Sequence, residues 1–283
     1  VYTPLKTSKI INEVYDLRIR NSACGQLALG VIRDIMNEDS DCDNSELTKE
    51  AACIVGPSIY TYVDWVFKNA ISDSVTDLYY ISRDGYLLNK VANDMQSNGL
   101  FEGIKNHYLY GSRKAWRSSQ IEDLNSKDIR IFGSRLRAEW LSCMNSHDMA
   151  VFFSINNEEE FVNLTGVLET HDDCEKSLVD KKIINFIKRE DERRRELCHE
   201  YLMQEIDFES CSYAFVDIHG TGYTLDCLNK QLMDENIITE KFPAYYYNLE
   251  PDINVNQNRF KTLNNFGRNW VFYEGLFCEN MFI

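Results

Sequence analysis

Two stretches of this chain set glycine, hydroxyl and charged residues directly after an apolar run: "YYISRDGYLLNKVA", Tyr79 to Ala92, and "YAFVDIHGTGYTLDCL", Tyr213 to Leu228. Each reads as strand, loop and helix. Glycine lets backbone N–H groups approach a ligand, threonine hydroxyls add donors, and the start of the following helix favours negative charge. His219, Gly220, Thr221, Gly222, Tyr223 and Thr224 therefore form a candidate phosphate cradle. It lacks the lysine and spacing of a Walker loop and the glycine pattern of a dinucleotide fingerprint. A Gly-Thr loop after a strand is also a common tight turn, so the cradle needs support from elsewhere in the chain.

A third stretch, "YLYGSRKAWR", offers Arg113, Lys114 and Arg117 as cations for an oxyanion ligand. Within "SRDG", Asp84 has two readings: a functional carboxylate, or the cap of a helix beginning at Tyr86. His219 either donates to phosphate or shapes its turn. The aromatics Tyr245, Tyr246, Tyr247, Trp270 and Tyr273 are either sugar-stacking surfaces or core.

The run "AFVDIHGTGYT" resembles the signature of type I phosphoribosyltransferases, in which apolar and acidic residues lead into Thr-Gly-x-Thr; here these are Thr221, Gly222 and Thr224. Asp217 keeps one acidic position and Val216 stands at the other. A closer resemblance is to domains of bacterial surface-polysaccharide biosynthesis proteins, carried by a "GP…W" helix, "YISRDGYL", "YGSRKA" and "FVDIHGTG". The resemblance implies transfer of a 5-phosphoribosyl group from phosphoribosyl pyrophosphate (PRPP) to a glycan acceptor, during O-antigen or capsule synthesis. A fused or neighbouring phosphatase would then remove the 5-phosphate.

On that resemblance the residues from His219 to Thr224 grip the 5-phosphate, and Ser82, Arg83, Gly85, Arg113, Lys114 and Arg117 hold pyrophosphate. Asp217 contacts the ribose hydroxyls, Asp84 or Asp217 is the catalytic base, and Glu274 reaches the acceptor. Mg²⁺ is the implied cofactor. Two other readings compete. A haloacid-dehalogenase-like phosphatase would place its nucleophilic aspartate where Ser82 stands. A non-catalytic PRPP-sensing or interaction domain would keep the loops without the chemistry.

To bring these loops together the chain must build a sheet. Strands are expected at Leu78–Ser82, in "HYLYGS", at Tyr213–Ile218 and in "PAYYYNL", with helices between them. Strand, helix and strand within about thirty-five residues make a parallel crossover. The expected class is α/β: a parallel-sheet, phosphoribosyltransferase-like core over residues 77–250. Helices are expected at 1–76, in an insertion at about 118–206 and in a C-terminal extension at 251–283. "GPSIYTYVDWVFKNAISD" reads as a helix apolar all round. The alternating charges of "KREDERRRE" read as a solvated helix face.

The 283 residues are 44% hydrophobic and 27% charged, a composition that supports an ordinary core. A net charge of −15 argues against nucleic acid as a partner. No apolar run is long enough for a membrane span. Nine cysteines without a C-x-x-C pair suit reduced thiols in the cytoplasm. His171 with Cys174, or Cys198 with His199, are weak zinc candidates against a plain reading as small core residues. The valine start and apolar end lead us to expect a piece of a longer protein.

Overall fold

The computed structural model describes residues 30–31, 48, 51–117, 140–209, 212–252 and 255–264. Its centre is a sheet of five parallel strands in the order β2-β1-β3-β4-β5: β1 Asp77–Ile81, β2 Lys105–Leu109, β3 Tyr213–Gly220, β4 Ala244–Leu249 and β5 Phe260–Asn264. All five residues of β1 are buried. A parallel strand covered on both faces must read as a continuous apolar run, and "DLYYI" does so with one acidic exception at its start.

Alternation along the strands sends side chains to two cores. Leu78, Tyr80, Ala214, Val216, Ile218, Tyr245 and Tyr247 face one side, where α1 (Gly56–Ser72) and α2 (Gly85–Ser97) supply Val63, Val66, Phe67, Leu88 and Ala92. Tyr79, Ile81, Phe215, Ala244 and Tyr246 face the other. There they meet Trp116 of α3 (Arg113–Trp116), which precedes the helical insertion.

In that insertion α4 (Ser146–Phe152), α5 (Glu158–Thr165) and α6 (His171–Ser177) pack with the first half of α7 (Lys181–Glu205) around Trp140, Met149, Phe161, Cys174 and Phe186. The second half of α7 brings Cys198 and Leu202 to the sheet, beside Leu225, Leu228 and Leu232 of α8 (Tyr223–Asp234). Burying one such leucine or phenylalanine stabilises the fold by about 1.5–3 kcal/mol. Moving from β1 to β2 over α2, and from β3 to β4 over α8, the chain crosses opposite faces. One handedness requires this when the two moves run in opposite directions along the sheet.

Several expectations change. β1 ends at Ile81, and β3 runs on to Gly220 rather than stopping at Ile218. The core does not end at residue 250: β5 pairs with β4 in register Ala244↔Phe260 to Asn248↔Asn264, inside what the sequence assigned to a helical extension. The expected C-terminal helix, with Trp270, Tyr273 and Glu274, lies outside the described residues, as do 118–139 and most of the first fifty.

Helix α1 buries a stripe of Ile59, Tyr62, Val63, Val66, Phe67 and Ala70, while Tyr60 and Ile71 face outward. It is amphipathic, not apolar all round. The charged run of α7 is also not wholly solvated. Asp191 is buried and ion-paired with Arg194 and Arg195, Arg194 donates to the carbonyls of Phe153 and Ser154 at 3.0 and 3.1 Å, and Glu190 accepts from the Asn156 N–H at 3.2 Å. These charges fasten the insertion to α7. No described helix is long and apolar enough to cross a membrane.

Candidate functional site

In a parallel sheet of this order, the chain leaves β1 and β3 in opposite directions, which opens a crevice beyond their carboxyl ends. The "SRDG" loop and the "HGTG" loop are the two walls of that switch point. β1 and β3 are hydrogen-bonded neighbours, with Tyr80 opposite Val216. Ile81 and Asp217 follow side by side.

The first wall is anchored to the loop beyond β2. The Ser82 N–H donates to the Leu109 carbonyl at 2.9 Å, while the Ser82 hydroxyl donates to the Gly111 carbonyl and accepts from its N–H, both at 2.9 Å. Ser82 thus ties two loops together, and its hydroxyl is engaged before any ligand arrives. The Ser82–Arg83 peptide is cis. Gly85 is buried at the first turn of α2, where a Cβ would stand 2.6 Å from the Tyr80 carbonyl carbon. Only glycine lets the helix start this close to the strand. Arg83 and Asp84 stand exposed between these anchors. The helix begins at Gly85, not Tyr86, and the Asp84 side chain makes no capping hydrogen bond, so the capping reading does not hold.

The second wall is shorter than its sequence implied. His219 and Gly220 belong to β3, leaving Thr221 and Gly222 as the turn before α8 opens at Tyr223. Gly222 precedes the helix with φ +76°, and a Cβ there would stand 2.8 Å from the Phe260 ring of β5. With no side chain at this position, the helix starts with N–H donors that no side chain caps.

Gln257 holds the turn from behind, donating to the carbonyls of Thr221 at 2.9 Å and Glu250 at 2.6 Å. His219 Nδ1 lies 3.1 Å from the Asn248 amide nitrogen, so the ring is oriented from the neighbouring strand. Tyr223 is not part of an open loop: its ring is buried with Cys227 and Val255, and the Arg117 guanidinium sits 5.5 Å above it. Thr224 lies half-buried in the first turn of α8.

Asp217 lies between the walls, half-buried. Its Oδ1 accepts from the Ile218 N–H at 2.8 Å, and its main-chain carbonyl, with that of Tyr245, shares the Tyr62 hydroxyl at 2.7 and 2.8 Å. Burial, and then the charge of Asp84, push its carboxyl up to about 7, against smaller opposing effects of the Ile218 N–H and Arg113. Asp84 and Arg113, from two other stretches of sequence, therefore both act on Asp217 electrostatically. A carboxyl that titrates near neutrality beside a second carboxylate is a common signature of a functional site.

The third stretch places Arg113 at the start of α3, whose Ser112 cap accepts from the Ala115 N–H at 3.1 Å. Gly111 is dictated by packing, since a Cβ would meet the Trp116 ring at 2.2 Å. The Lys114 side chain lies outside the described residues. Tyr245, Tyr246 and Tyr247 are core residues at 0%, 1% and 7% exposure, and cannot stack on a sugar. Tyr62, Gln257 and Phe260, which hold the walls, carried no sequence signal, because they act from 155, 36 and 38 residues away through contacts that only the folded chain makes.

Among the described residues no group of three or more His, Cys, Asp or Glu could hold a metal. Cys174 and Cys198 are buried free thiols, and burial pushes Cys198 up to about 11. His171 sits against the Cys143 carbonyl and His199 pairs with Glu235 at 3.0 Å, so neither zinc candidate assembles. What the fold defines is an α/β protein with a charged switch-point crevice. No protein-family model matches this chain, and no curated protein shows significant similarity to it.

Proposed function

We propose that this chain moves a 5-phosphoribosyl group from PRPP to a sugar hydroxyl, in the assembly of a bacterial surface polysaccharide. The observation that carries this reading is that the loops after the neighbouring parallel strands β1 and β3 leave the same end of the sheet at its switch point, and the Asp84 charge that acts on Asp217 agrees with it. A phosphorylated pentose fits such a crevice. The uncapped start of α8 and the Thr221–Gly222 turn suit the 5-phosphate, and Arg83, Arg113 and Arg117 suit the pyrophosphate.

In the reaction the bond from C1 to the pyrophosphate oxygen breaks, leaving positive charge on the ribose ring. The acceptor oxygen then bonds to C1 and loses its proton. Asp217, fixed by the Ile218 N–H, contacts the ribose hydroxyls. Asp84, exposed at the mouth, accepts the proton. The pyrophosphate departs against the arginines, whose charge stabilises what develops on it.

Mg²⁺ fits this donor set. It commonly binds through one or two carboxylates plus substrate phosphates rather than in an all-protein cage. Asp217 would hold it, since a cation there offsets the repulsion from Asp84 that raises its proton affinity. When bound, the ion supplies charge neutralisation for the leaving pyrophosphate. The phosphatase reading is disfavoured, because the position of its nucleophile carries Ser82, whose hydroxyl is engaged with Gly111. Free buried thiols and this donor both suit the cytoplasm.

The test is incubation with PRPP, Mg²⁺ and a panel of glycan acceptors, following pyrophosphate release and the mass gain of a phosphoribosyl unit. Acceptor-dependent release is expected. Binding of PRPP without turnover on any acceptor would turn the reading to a sensor, and absence of PRPP binding by calorimetry would end both.

A further inference from the structure

Beside Asp84 the surface carries three tyrosines in contact. Tyr86, in the first turn of α2, meets Tyr108 of β2 edge-to-face at 5.7 Å and 75°, and Tyr108 meets Tyr110 at 5.3 Å and 72°. Tyr86 is 54% exposed and Tyr110 69%, the latter the most exposed aromatic ring among the described residues. Single exposed aromatics are ordinary, but a contiguous set is informative, because burying such rings elsewhere would have stabilised the fold. The set is held in place from below. The Tyr110 N–H donates to the Tyr201 hydroxyl of α7 at 2.9 Å, and the adjoining Ser82–Gly111 pair locks the β2 loop to the β1 loop.

We infer that Tyr86, Tyr108 and Tyr110 form a stacking platform for the ring of a neutral sugar acceptor, next to the carboxylate of Asp84. The assignment rests on the function proposed above and adds to it the place where the acceptor sits. Tyrosine faces suit the C–H face of a pyranose, while their hydroxyls and Asp84 suit its hydroxyl rim. The Ser82 N–H donates to the Leu109 carbonyl at 2.9 Å, next to Tyr108, so the platform is continuous with the β1 loop. Lys90, with Nζ 4.7 Å from the Tyr86 ring centroid, already takes the cation position on that ring. It disfavours a cationic ligand there, and the exposed carboxylate of Asp84 disfavours an anionic one. The platform lies on the edge strand of the sheet, and the Thr221–Gly222 turn lies toward its other side.

The experiment is saturation-transfer NMR on the whole chain with methyl glycosides of glucose, galactose and N-acetylglucosamine, without PRPP. Transfer to the ring C–H protons of at least one glycoside is expected in the wild type. Tyr110→Ala and Tyr86→Ala should each weaken that signal about tenfold, and Tyr110→Trp should retain it. Calorimetry with PRPP on the same samples should give equal affinities. Absence of transfer in the wild type, equal transfer in the alanine variants, or stronger transfer to uridine or adenosine overturns the platform as a sugar site. Loss of PRPP binding in every sample, with the tyrosine-dependent signal intact, would instead overturn the donor reading and leave the platform standing.

Discussion

At the amino end of β1, Asp77 is 4% exposed and both of its carboxylate oxygens are matched, one by the Thr76 hydroxyl and one by His107 Nε2, each at 2.8 Å. One strand away, in the second half of β3, Asp217 receives a single N–H, and burial, then the charge of Asp84, push its carboxyl up to about 7. The same residue type serves two purposes in one sheet. Where a carboxylate is matched, it closes an end of the fold. Where it is left against another carboxylate its proton affinity rises, which is the pattern the proposed ligand would relieve. The comparison separates residues that hold the sheet from residues that use it.

The largest expected effect that tests this contrast is on turnover. Asp84→Asn should lower pyrophosphate release about 10²–10⁴-fold with PRPP affinity kept, and, by removing a charge that raises Asp217, should move the acid limb of the PRPP-binding pH profile to lower pH. Retained turnover, or an unmoved limb, breaks the coupling of the two loops.

Stability should respond next. Below about pH 4 Asp217 is protonated in folded and unfolded chains alike, so its environment then carries no electrostatic penalty. As pH rises toward 7 the unfolded chain has lost a proton that the folded chain keeps, and stability falls until both are ionised. Asp217→Asn should therefore stabilise the protein on the order of 2–4 kcal/mol at pH 8, read as a Tm roughly 5–15 °C higher, with the gain vanishing near pH 4. An equal gain at both pH values would show that ionisation is not its source.

The smallest effect belongs to the amino end. His107→Ala should cost about 1–3 kcal/mol by leaving a buried carboxylate oxygen without its partner, and should leave PRPP affinity unchanged. A loss of affinity there would erase the difference between the two ends.

Of the four strands legible in the sequence, β1, β3 and β4 lie inside the sheet and are largely buried, and their aromatic and branched runs leave no other reading, while β2 lies at an edge and showed itself by "HYL" and by its place one helix after β1. β5 escaped because "FKTLN" is half polar, as an edge strand is apt to be, and follows a polar loop rather than a helix. Its place follows from backbone pairing with β4, which composition does not encode. In the site, the order of the three loops was legible and their meeting followed from parallel topology. The functional weight given to Gly85, Tyr223 and Ser82 was not legible correctly, because close helix–strand approach, ring burial and a loop-to-loop hydrogen bond select the same residue types as a phosphate cradle does. Tyr86 and Tyr110 were invisible as a pair, since twenty-three intervening residues separate two rings that meet only through Tyr108.

The contact between Gly222 and the Phe260 ring sets an order of events during synthesis. The glycine turn leaves the ribosome well before the strand that backs it, so a nascent chain halted after Leu249 would hold every residue assigned to PRPP and still lack the wall behind the Thr221–Gly222 turn.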